Sequence, residues 1–130
     1  MVKKYQGLSI LANKNMEEKI HKLKIRAVDG VVFAAIKNGV KKIETRAATP
    51  SYCKIKKGDK IIFICGQEKI EKKVEEAALY KSIGVLFKRY GVEDIFPGLA
   101  TISQATKKYY SFPDYREKIK KFGLIAWELK

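Results

Sequence analysis

At 130 residues the chain has room for one hydrophobic core and too little length for two ordinary domains. Hydrophobic residues at 46%, charged residues at 32% and only 3 prolines exclude a disordered or low-complexity chain. No apolar run approaches the roughly 20 residues of a membrane helix, and Leu8 to Ala12 is too short for a signal-peptide core, so the expectation is a soluble cytoplasmic protein without a membrane partner. A formal net charge of +14 makes an anion the natural partner, whether nucleic acid, anionic lipid or a phosphorylated small molecule. Lysine-rich composition of this kind also arises from habitat alone.

In chain order, residues 1–20 carry no clear period and read as an N-terminal extension, with Met16 to Ile20 able to form two helical turns at most. The domain proper is then 21–130. Lys22 to Val28 alternates, Leu23, Ile25 and Ala27 against Lys22, Lys24 and Arg26, the pattern of a half-buried strand with a basic outer face. His21, the sole histidine, falls at the edge of that strand and reads as a surface residue. Asp29 can cap a helix carrying Val32, Phe33 and Ile36 on one stripe, and Asn38-Gly39 supplies its stop.

The next strand places Ile43 and Thr45 on one side and Lys42, Glu44 and Arg46 on the other. An irregular stretch containing Pro50 follows, and Lys57-Gly58-Asp59 turns into Lys60 to Cys65, apolar on both faces and therefore central in a sheet. Ile70, Val74, Ala77 and Ala78 stand at helical spacing. Ser82 starts a helix through Ile83, Leu86, Phe87 and Tyr90, Thr101 starts another to about Tyr110, Pro113-Asp114 starts a short third, and Phe122 to Leu129 closes the chain as a strand.

Fingerprints of dinucleotide folds, P-loops, zinc proteases and nucleophile-elbow hydrolases are missing from the sequence. Cys53 and Cys65 are not arranged as a CxxC, so free thiols are expected and neither a metal nor another cofactor is predicted. Ser51 and Tyr52 sit in the loop after the charged strand, where they could bind phosphate, although loops hold serine for turn chemistry as well.

One constellation has specific content. Gly39-Val40-Lys41-Lys42-Ile43-Glu44-Thr45-Arg46 is followed by Lys57-Gly58-Asp59 at the start of a strand. Both segments resemble the signature of the ASCH domain family, GxKxxExR and then a GD pair, and the likeness runs from about Leu23 to Leu129. The resemblance implies an α+β fold, a PUA-like small β-barrel with flanking helices and a cleft into which the signature strand points. It also implies that residues 69–79 are a strand, against their helical period.

RNA, or a nucleoside-like ligand, is the partner that the resemblance implies. Lys22, Lys24, Arg26, Lys41, Lys42, Glu44, Arg46, Ser51 and Tyr52 are the candidate contacts. Arg46 is suited to a bidentate grip on phosphate or carboxylate, and Glu44 to accepting from an exocyclic amine. A plainer reading is a Glu44 to Arg46 ion pair that braces the barrel mouth.

Some similar bacterial proteins are N4-acetylcytidine amidohydrolases that use a lysine, a threonine and a glutamate. On this chain the lysine falls on Lys41, the threonine position holds Glu44, and Glu93 is the nearest glutamate. Others are ribonucleases. The alternative to RNA binding is thus a metal-independent hydrolase with Lys41, Glu44 and Glu93 as catalytic candidates, and the sequence leaves both this choice and the oligomeric state open.

Overall fold

The computed structural model describes residues 18–130, so most of the expected N-terminal extension lies outside the described residues. In chain order come β1 (Ile20–Lys24), a 3-10 turn (Ala27–Asp29), α1 (Gly30–Lys37), β2 (Ile43–Ala47), a second 3-10 turn (Tyr52–Lys54), β3 (Lys60–Cys65) and β4 (Glu68–Tyr80). Then follow α2 (Ile83–Arg89), α3 (Val92–Ile95), α4 (Ile102–Tyr110), α5 (Tyr115–Phe122) and β5 (Leu124–Leu129). Among the described residues no helix is long and apolar enough to cross a membrane.

All five strands belong to one curled sheet, a half-barrel in the order β1-β3-β4-β5-β2. β1 runs parallel to β3, with Leu23 opposite Phe63, and the other pairs are antiparallel. β3 has a partner on each side, as its doubly apolar sequence requires. Ile20 already belongs to β1, which ends at Lys24 because Ala27 to Asp29 winds into a 3-10 turn. Ala27, expected on the buried face, is therefore exposed, while Leu23 and Ile25 are buried.

Residues 68–80 form a strand, and the way they do so accounts for their helical spacing. β4 pairs with β3 over its first half and with β5 over its second, and a bulge between Val74 and Glu76 shifts the register. A bulge inserts one residue and so reverses the alternation. Ile70 and Val74 lie an even number of residues apart and Ala77 an odd number further on, yet all three reach the same core.

Two apolar clusters cover the two faces of the sheet. On the concave face Phe63, Ile61, Val74, Ile125, Trp127 and Leu129 meet α1 through Phe33 and Ile36. On the other face Leu124, Ala126, Ile43 and Ala47 meet the helices through Leu86, Ala105, Tyr109 and Ile119. β5 serves both clusters by strict alternation, which is why its sequence is almost wholly apolar. Helix starts follow local chemistry: Ser82 Oγ accepts from Val85 N, and Thr101 with Gln104 forms a reciprocal capping box. Asp29 is the exception. It precedes α1 without a side-chain cap, because its carboxylate takes Arg26 Nε at 2.9 Å instead.

Candidate functional site

Among the described residues the sheet does not close: β1 and β2 are its two edges. Between them opens a cavity of about 270 Å³. The last residue of β1 and the two after it contribute Lys24 to Arg26, β2 contributes Glu44 to Arg46, and the helical side contributes Phe96, Tyr109, Phe112 and Tyr115. Register explains how β2 can serve both the cavity and the core. Glu44 lies opposite Trp127 and Arg46 opposite Ile125, on the concave face, whereas Thr45 lies opposite Ala126 on the helical face.

Three charges at the floor form one network. Lys41 is 2% exposed; its ammonium donates to the carbonyls of Ile43, at 2.6 Å, and Ile95, and lies 3.4 Å from Glu44 Oε1. These three contacts use all three of its protons. Glu44 Oε1 also accepts from Thr45 N at 3.2 Å, and Oε2 takes Arg46 Nε and Nη2, each at 3.2 Å. Two hydrogen bonds, from Thr45 N and Arg46 Nε, thus reach the carboxylate, and Lys41 Nζ and Arg46 Nη2 stand beside it in ion-pair range. Arg46 Nη1 donates to the Tyr52 hydroxyl at 3.1 Å, and its guanidinium lies 5.4 Å from the centre of that ring.

Burial is the strongest influence on Lys41 and pulls its pKa below the ordinary lysine value, with Glu44 working against the shift and Arg46 adding to it. Burial also opposes charge on Arg46. The Glu44 carboxylate, Tyr52 and Tyr115 outweigh it and hold the guanidinium above its ordinary range. Burial raises Tyr109 and Tyr115, so both phenols are neutral donors at physiological pH. Tyr109 shares a short hydrogen bond with Thr45 Oγ1, and Tyr115 accepts from Ala47 N at 3.3 Å.

Cations lie against the aromatic walls. Arg26 and Lys108 sit 5.5 and 5.6 Å from the Phe112 ring centre, Lys118 lies 5.9 Å from that of Tyr115 and Lys41 5.6 Å from that of Phe96. Asp29 joins this rim, bound to Arg26 and 3.7 Å from Lys108. The arrangement presents π faces beside positive charge, a surface suited to a flat anionic or electron-rich ligand.

Of the residues expected at the site, Lys24, Arg26, Lys41, Glu44, Arg46 and Tyr52 line this cavity. Lys22, Lys42, Ser51 and Glu93 do not. Lys22 is exposed on β1, its side chain alternating away from the buried Leu23. Lys42 precedes β2 and lines a separate cleft with Arg89 and Glu128. The Ser51 hydroxyl is exposed and lies 3.4 Å from that of Thr49. Glu93 is exposed in the first turn of α3 and is not among the residues that line the cavity, to which Phe96 just beyond α3 contributes. Sequence reasoning placed Thr45 on the opposite face, as the register has it, but missed that it still lines the cavity, and missed Asp29, Phe96, Tyr109, Phe112, Tyr115 and Lys118. The one available signal was the aromatic density of residues 109–115 beside lysines.

No family model matches the chain, and no curated protein matches it either. Solved structures do. The crystal structure of hypothetical protein PH0355 is 32% identical, with 88% of this chain and 98% of that chain covered at a TM-score of 0.72. The chain belongs to the family of that protein. The solution NMR structure of protein PF0455 from Pyrococcus furiosus is similar as well, 30% identical over 88% of this chain and 96% of that chain at a TM-score of 0.66. Both likenesses span almost the whole length of the relative, so this family shares the complete half-barrel with its helices.

Proposed function

We propose that the protein is an RNA-binding member of the ASCH family with a PUA-like fold, and that it holds an unstacked base in the cavity between β1 and β2. The observation that carries this reading is the pairing of aromatic walls with a cationic rim around a space of about 270 Å³. That volume lies at the lower edge of ligand pockets, roughly 300 to 1,000 Å³, and suits one base better than a strand. Stacking on aromatic side chains is worth about 1–3 kcal/mol per base, and exposed cations at the rim can follow the backbone. Supporting the family reading, the Gly39 to Arg46 segment spans a helix-to-strand junction, and Lys57-Gly58-Asp59 is the turn that opens β3.

Hydrolysis is no part of this proposal, since Lys41 has its three protons engaged and Glu93 lies outside the cavity. The test is an NMR titration of the protein with a short single-stranded RNA. Amide shifts are expected to cluster on residues 24–29, on β2 and on residues 112–118, and the log-log salt slope should be about −0.7 per phosphate neutralised. Absence of binding at low salt, or shifts confined to other lysine-bearing surfaces, would overturn the reading.

A further inference from the structure

Taking the cavity as a base site, we infer that it reads guanine, through the two terminal nitrogens of Arg46 set against the O6 and N7 edge. A guanidinium has five N–H groups. Nε–H goes to Glu44 and one Nη1–H to Tyr52, and even when Nη2 is granted a proton toward Glu44 at 3.2 Å, one N–H on each terminal nitrogen has no partner among the described residues. Buried donors are rarely left unpaired, and this side chain is only 16% exposed. Glu44 and Tyr52 fix the plane of the guanidinium before any ligand arrives, so the remaining donors form a rigid fork.

Such a fork needs two adjacent acceptors. Guanine offers O6 and N7 with only a C–H beside N7, and arginine on this edge is the commonest specific base contact. Adenine has a donor in place of O6. Cytosine offers O2 and N3, but its amine follows directly and demands a further acceptor. Glu44, the carboxylate against Arg46, already holds Thr45 N and Arg46 Nε with Lys41 and Arg46 Nη2 crowded against it, and is poorly placed to supply it. The same crowding makes Glu44 a positioning residue for Arg46 rather than a reader of exocyclic amines.

The experiment measures affinities of the wild-type protein for GMP, 7-deaza-GMP, AMP and CMP by calorimetry, beside the single-stranded RNA. GMP is expected to bind at least about fivefold more tightly than the other three, the lower end of what a bidentate pair discriminates. R46K, which keeps the charge and loses the fork, should bind GMP and 7-deaza-GMP equally. Equal affinities for all four in the wild type, a preference for CMP, or a guanine preference that survives in R46K would each overturn the inference while leaving base binding intact. If neither RNA nor any nucleotide binds, the proposed function itself falls. Should R46K fail to fold, the wild-type comparison of GMP with 7-deaza-GMP still decides, because it changes one ligand atom and nothing in the protein.

Discussion

Replacing Glu44 with Gln tests whether the three-charge network is a brace. The change keeps shape and one acceptor for Thr45 N–H but removes the sole negative charge from between Lys41, whose side chain is 2% exposed, and Arg46, at 16%. Removing one partner of a buried ion pair costs about 3–5 kcal/mol. Arg46 keeps some contact with solvent and the amide oxygen still accepts, so the expected loss is at the lower end, about 3 kcal/mol. At roughly 4 °C per kcal/mol for a domain of this size, the melting temperature should fall by about 12 °C. Circular dichroism in urea and on heating measures both quantities. Lys41→Met combined with Glu44→Gln should cost less than the two separate losses together, by at least about 1 kcal/mol, because the stranded ammonium has gone. A Glu44→Gln protein that melts within 2–3 °C of wild type, with no coupling to Lys41, would refute the brace and return the carboxylate to the list of ligand-binding groups.

Gly123 ends α5 at φ 76°, where an added Cβ would collide with the Tyr80 carbonyl oxygen on β4. Gly123→Ala should therefore lose about 3 kcal/mol by urea denaturation, while Gly84→Ala, with nothing nearer than Ser82 Oγ at 3.9 Å, should be neutral or stabilising. Asp59 is buried yet holds its pKa below the ordinary aspartate value, burial being outweighed by hydrogen bonds from Lys56 N and Lys19 N and by His21. The unfolded chain thus takes up this proton more readily, so the stabilisation is complete above about pH 4 and lost as pH falls through the lower folded value. Acid unfolding below about pH 4 should be measurably less steep in Asp59→Asn than in wild type.

Much of this architecture was legible because local chemistry and tertiary need agree. Lys60 to Cys65 is apolar on both faces and lies between two strands, Ser82 and Thr101 cap the helices they precede, and Asn38-Gly39 ends α1. β4 was legible only through the family resemblance, since its bulge turns strand alternation into a counterfeit of helical spacing at Ile70, Val74 and Ala77. At the site, charge alternation placed Glu44 and Arg46 correctly. Lys41 rather than Lys42 is the buried partner, because β2 begins only at Ile43 and the residue before it is free to turn outward. Of the aromatic wall only the density of aromatics over residues 109–115 was legible; that Phe96, Tyr109, Phe112 and Tyr115 line one cavity with β2 is set by helix packing, which no local pattern encodes.

Sheet order carries a consequence for assembly during synthesis. β2 holds Glu44 and Arg46, and among the described residues its one strand neighbour is β5, which lies at the far end of the described chain. While the segments carrying β1 to β4 emerge from the ribosome, those charged side chains have no partner strand on which to settle, and pairing across so long a stretch is slow. The cavity therefore awaits β5, and a nascent chain halted before Leu124 carries the whole charged signature without the strand on which β2 is seated.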